Sequence, residues 1–231
     1  MALTPYQSDA LIKEVDDAVR QDDMLSFWSR YGRVVAGAVV LALGAYGGWL
    51  LWQNHRNSVA EANSEQFADL LKSAEAASLD QPVYDKLVAG GGPGYKSQAQ
   101  LVKAALAAGK NDDKEAVATY DAIIADPAAL QPAKDAALIR KTALSFDSMA
   151  PDQVVAALKG LAVPGNAWYG SAGELTAIAY LKMGKRDLAA ELFGSLARDA
   201  AVPDSIKLRA GQMASALGAA APAAPAPALA R

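Results

Sequence analysis

The stretch AYLKMGKRDLAAELFGSLA, Ala179–Ala197, reads as two helices joined at a single turn. Tyr180 lies in the first helix, Gly184 sits at the turn, and Ala189 and Phe193 follow in the second. The last two are four residues apart, so they share one helix face. A small Ala there lets the two helices approach, and the aromatic four residues on fills the gap beside it.

The same offset recurs upstream. KEAVATYDAIIAD from Lys114 carries Ala116 and Tyr120, and PDQVVAALKGLAV from Pro151 carries Val154 and Leu158. Ala116, Val154 and Ala189 stand 38 and 35 residues apart, near the 34-residue period of the tetratricopeptide repeat, which the Ala179–Ala197 unit resembles most closely. The first unit has a longer turn, with seven steps from Gly109 to Ala116 against five from Gly184 to Ala189, and the middle unit lacks the turn glycine. Such degenerate units close a core by stacking rather than singly. Apolar periodicity and breakers predict helices near 95–108, 114–125, 133–148, 151–161, 171–183, 186–198 and 204–217, with no convincing strand. The tail GAAAPAAPAPALAR from Gly218 is Ala/Pro-rich and is expected to be extended and mobile.

Ahead of the repeats, Val34–Trp52 holds 19 residues without a charge. A helix of that length spans roughly 28 Å, close to a hydrocarbon core of about 30 Å. Phe27, Trp28 and Tyr31 precede the run and Trp49 and Trp52 end it, the placement of interfacial aromatics. About thirty acid-rich residues come before it, unlike a cleavable signal peptide. Arg20, Arg30 and Arg33 lie before the span and Arg56 close after it, so the N-terminus is expected in the cytoplasm and the rest outside. Gly37, Gly44 and Gly48 stack on one face. The G-x-x-x-G pair suits docking of a second membrane helix, although small residues are also common in spans that dock nothing. Neither Gly nor Pro falls between Trp49 and Leu79, so the helix is expected to run on to roughly Ser78, joining anchor and repeats rigidly. Val59, Ala62, Phe67, Leu70, Leu71 and Ala74 give that extension a stripe to pack on. At the other end, Leu11, Ile12, Val15 and Val19 make a weak stripe among acidic residues, fitting a solvated helix or a cytoplasmic docking segment.

The expected organisation is therefore all-α: a cytoplasmic acidic segment (1–33), a transmembrane helix (34–54), a helical extension or linker (55–90), a helical-hairpin solenoid of tetratricopeptide type (91–217) and a disordered tail (218–231). With a net charge of -3 and no basic cluster, nucleic acid is not the expected partner. There is no cysteine, and His55 is the single histidine, beside Arg56 at the expected membrane surface; neither a thiolate nor an imidazole cluster can form. GGGPGYKS, Gly90–Ser97, has Tyr95 where a P-loop needs glycine, and reads as a flexible entry to the first repeat helix with Tyr95 packed against it. Asp112, Asp113, Glu115, Asp121 and Asp126 read as a charged solvent face. No catalytic, cofactor or metal site is expected.

Two further stretches sharpen the resemblance: DALIKEVDDAVRQDDMLSFWSRYGR before the span and GPGYKSQAQLVKAALAAGK leading into the repeats. With them the chain resembles the YfgM-like family of ancillary SecYEG translocon subunits, in its alphaproteobacterial form, over all but the tail. The resemblance implies a non-enzymatic inner-membrane protein with a periplasmic repeat domain. Its implied partners are SecYEG, a PpiD-like membrane-anchored chaperone and exported client proteins, with lipid around the span. By that match Gly44 and Gly48, with Gly37, are the expected contacts within the membrane, and the surface around Tyr120, Trp168, Tyr169 and Tyr180 is expected to meet proteins. Trp168 and Tyr169, after the Pro164-Gly165 turn, fit exposed anchors and core packing at a helix start equally well. A repeat adaptor for another envelope assembly, such as cell division or cytochrome assembly, is the alternative.

Overall fold

The computed structural model describes residues 5–218, with side chains from Arg30 onward. The acidic N-terminal stripe and the Ala/Pro tail thus lie outside the described side chains and residues. Nine helices and no strand are present among the described residues. The chain divides into two compact units, 1–61 and 62–231, with the boundary inside α1 (Pro5–Glu75).

In the first unit, α1 presents its apolar run on all sides. One segment of this helix is long and apolar enough to cross a membrane by length and composition, with a mean hydropathy of 2.0 and 0% of its apolar window buried. Val34, Leu41, Leu43 and Leu51 are exposed. Tyr46 and Trp49 stack at 5.9 Å, and the Arg56 guanidinium lies 4.8 Å over the Trp52 ring. A cation on an indole face lets the apolar run end without stranding its charge.

The second unit holds the end of α1 and eight further helices: α2 (Gln81–Gly90), α3 (Gly92–Gly109), α4 (Asp113–Ala125), α5 (Gln131–Leu144), α6 (Pro151–Leu158), α7 (Tyr169–Lys182), α8 (Arg186–Arg198) and α9 (Asp204–Ala216). Seven of these match the sequence expectations to within a few residues at most ends. The helix α2 falls at the end of the 55–90 extension or linker, where no separate helix was expected beyond about Ser78. Its start is fixed by Asp80, whose carboxylate accepts from the Val83 amide at 3.1 Å, and by Pro82 in the first turn. Asp112 caps α4 on the Glu115 amide in the same way. Pro93, Pro132 and Pro151 open α3, α5 and α6, where a missing amide hydrogen costs nothing.

Three helices end by one device. After α1, α3 and α7 a residue turns left-handed: Ala77 (φ 52°), Asn111 (φ 59°) and Gly184 (φ 72°). Each amide donates back three residues, and the following amide donates five back, as in Ser78 to Ser73 at 3.0 Å, Asp112 to Ala107 at 2.9 Å and Lys185 to Tyr180 at 2.9 Å. The pair satisfies carbonyls that the helix end would otherwise orphan. Between α5 and α6, where no glycine stands, Ser145 takes over: its carbonyl accepts from the Ser148 and Met149 amides and the Ser148 hydroxyl. That turn stops α5 at Leu144, earlier than expected.

The glycine stretch before α3 is a tight corner rather than a flexible entry. A Cβ on Gly91 would stand 2.6 Å from the Leu87 carbonyl oxygen and 2.8 Å from Tyr95 Cβ, so only glycine fits where α2 turns into α3. Tyr95 packs at 5.9 Å on Phe67 of α1, beside Leu70 and Leu87, which are fully buried.

Successive helices pack in pairs along the array, and α3, α5, α7 and α9 also touch one another in order, whereas α4, α6 and α8 make no mutual contact among the described residues. The result is two layers, the first helix of each hairpin in one and the second in the other. The small-then-large pairs lie where the periodicity places them: Ala116 and Tyr120, Val154 and Leu158, and Ala189 and Phe193 are all buried. Each pair sits in its own apolar cluster, formed by α3–α5, α5–α7 and α7–α9 in turn.

Candidate functional site

The carboxylates of the first repeat have structural employment. Asp112 is a cap, Glu115 pairs with Lys103 at 3.0 Å, Asp121 pairs with Lys141, and Asp126 pairs with Lys96 at 2.7 Å. The Lys96 ammonium, followed by the Ala128 amide, holds the Asp126 carboxyl below the usual carboxylate range. No group of three or more His, Asp or Glu is placed to hold a metal ion among the described residues.

The expected protein-contacting aromatics separate into different roles. Tyr120 and Tyr169 are each 3% exposed and belong to the core clusters of the first and last repeats. They are not exposed anchors: each is packed within the apolar cluster of its own repeat. The Tyr169 hydroxyl donates to Ser195 Oγ at 2.7 Å, which satisfies the one polar atom that its burial would orphan. Trp168 is half-buried and packs against both the first and the middle clusters, with its amide donating to Asn166 Oδ1 at 2.8 Å. Tyr180 remains half-buried at a groove.

That groove, of about 420 Å³, runs between α6 and α8 with α7 as its floor. It forms because α6 and α8 do not meet. Val155 and the 159–164 turn make one wall, Leu188 and Leu192 the other, and Tyr169, Thr176 and Tyr180 the floor. A second hollow, of about 360 Å³, lies between the end of α1 and α3, lined by Phe67, Leu71, Leu101, Val102 and Leu106, with Arg140 of α5 at its edge. Neither was legible from spacing, because each is made by what neighbouring helices fail to cover. The glycines of the other unit are open: a Cβ on Gly37, Gly44 or Gly48 would meet nothing within 4 Å.

Two layers of stacked hairpins, each with a buried pair of residues four apart on its second helix, define a helical-repeat protein whose hollows are grooves between helices. The family model of the tetratricopeptide repeat-like domain matches residues 25–203, and the chain belongs to that family. No curated protein and no solved structure matches the chain. Arrays of this kind act by presenting rigid helix faces to other proteins.

Proposed function

We propose that the chain is a non-enzymatic inner-membrane scaffold of the YfgM-like type, which holds a periplasmic repeat domain at the SecYEG translocon and links exported proteins to a PpiD-like chaperone. The observation that carries this reading is the pairing, in one chain, of an apolar helix with 0% of its window buried and an interaction repeat of the tetratricopeptide-like family. An uncovered apolar helix needs lipid or another membrane helix around it. A repeat array tethered beside a channel meets emerging chains at an effective concentration that solution binding does not reach. The basic residues before the span, Arg30 and Arg33, support a cytoplasmic N-terminus.

Crosslinking in intact membranes tests the partners. The expected result is recovery of SecYEG and the chaperone; recovery of a division or cytochrome-assembly complex in their place would overturn the assignment. A reporter joined after Arg231 that is active only in the cytoplasm would overturn the topology.

A further inference from the structure

The α6–α8 groove has walls of opposite charge. Among the described residues of the second unit five large apolar side chains are exposed, and two of them, Val163 and Leu188 at 44% each, line this one groove. Each wall also carries a single charge, Lys159 on the α6 side and Glu191 on the α8 side. Both are exposed, and neither has a hydrogen bond or ion pair among the described residues, whereas Lys141 with Asp121 and Lys182 with Asp147 pair across neighbouring elements. The two walls run in the same direction. Lys182 at the end of α7 bonds Asp147, ahead of α6, at 2.8 Å, and Tyr169 at the start of α7 bonds Ser195, late in α8, at 2.7 Å. Helices α6 and α8 are therefore both antiparallel to α7 and parallel to each other. One turn before the charge on each wall stands an apolar side chain, Val155 before Lys159 and Leu188 before Glu191.

Parallel walls that match in residue order and oppose in charge make a surface complementary to itself. In a two-fold contact one patch serves both partners, so whatever a residue meets is met in return. A two-fold axis laid along the groove turns each wall onto the other, bringing Val155 to the partner's Leu188 and Lys159 to the partner's Glu191. An axis laid across the groove instead sets Lys159 on the partner's Lys159 and Glu191 on the partner's Glu191. Repulsion between like charges suppresses that second arrangement. We propose that the α6–α8 groove is the interface of a homodimer, in which the same groove of a second copy faces it in parallel and Lys159 and Glu191 form two reciprocal ion pairs. Exposed pairs add little affinity by themselves and act mainly on register. The affinity comes from covering Val163 and Leu188 with the half-buried Val155, Leu192 and Tyr180. The hollow beside α3 shares no residue with this groove, so pairing does not use it.

The absence of native cysteine leaves any introduced thiol alone in its chain. Full chains carrying Val155→Cys are mixed in detergent micelles with chains carrying Leu188→Cys, tagged to differ in mass, and oxidised. The control mixes Leu208→Cys with Leu188→Cys, Leu208 being 66% exposed on α9. The groove pair is expected to link at least about tenfold faster than the control, since docking holds its two thiols at a raised effective concentration. Lys159→Glu in both chains is expected to bring the rate down to that of the control. Lys159→Glu in one chain with Glu191→Lys in the other is expected to restore it, measured against a control carrying the same reversals, because opposite charges then face each other at both contacts. Neither charge has a partner within its own chain, so each reversed chain should melt as the parent does. Equal rates for the groove and control pairs overturn the proposal. So does a groove rate that survives Lys159→Glu in both chains, and so does a split reversal that fails to restore it. Equal rates together with a Leu188→Cys thiol shielded from labelling in intact membranes would overturn it in favour of a different protein in the groove.

Discussion

Ala77 holds a left-handed conformation that an L side chain enters at a cost of about 1–2 kcal/mol. The Ala77→Gly chain keeps both amide bonds of that turn and is expected to unfold about 1 kcal/mol later in urea titration; an unchanged or lower midpoint counts against the strain. The burial of Tyr169 predicts a different split. Tyr169→Ala is expected to cost about 3–5 kcal/mol through the cavity it leaves, and Tyr169→Phe about 1 kcal/mol through the lost bond to Ser195. At this scale the sequence was informative where a rule has one solution. The alternation of Ala189 and Phe193 could only be a helix contact, so their burial was legible. Trp168 and Tyr169 were not separable, because adjacent aromatics at a helix start satisfy either fate, and burial was decided by Ser195, 26 residues further along.

At the scale of elements, the hairpins are laced by ion pairs across their faces. The Lys103 ammonium is raised above its ordinary range, first by its bond to Glu115, and the Tyr84 phenol beneath it is raised, first by burial; the ammonium stands 5.5 Å over the ring. A raised folded value stabilises fully below the unfolded value, about 10 for both groups, and that stabilisation is lost as pH climbs through the folded one. The carboxyls of Asp126 and Asp204 are lowered, first by Lys96 and Lys207, so their contributions are present above about pH 4 and disappear as pH falls through the folded values. Melting temperature against pH should therefore decline on both sides. Lys96→Met should flatten the acid limb and Glu115→Gln the alkaline one; limbs that keep their slopes in these variants would refute the assignment. Helix positions were readable because breakers punctuate them, whereas α2 was not, since its ten residues fall between a long apolar extension and a glycine run. Which lysine meets which carboxylate depends on the packing of neighbouring helices, which a single sequence does not display.

For the whole molecule, the apolar run of α1 and the open face at Gly44 and Gly48 lead to a membrane prediction. Gly44→Leu with Gly48→Leu is expected to reduce co-purification of membrane partners several-fold while the repeat domain melts as before, because a Cβ there meets nothing within the chain. Full retention of every partner would leave the glycines as ordinary span residues. The repeat architecture was legible from its period, and the family match over residues 25–203 agrees with it.

Contacts in the array pass only from each helix to the next one or two. A load applied at one end is therefore borne by one interface at a time. Pulled through α9, the structure would peel hairpin by hairpin and could re-zip from whatever remained, instead of failing all at once. The eight-residue α6 is the shortest rung, and there the peeling should pause least. A protein built this way yields to a load by degrees and keeps its footing.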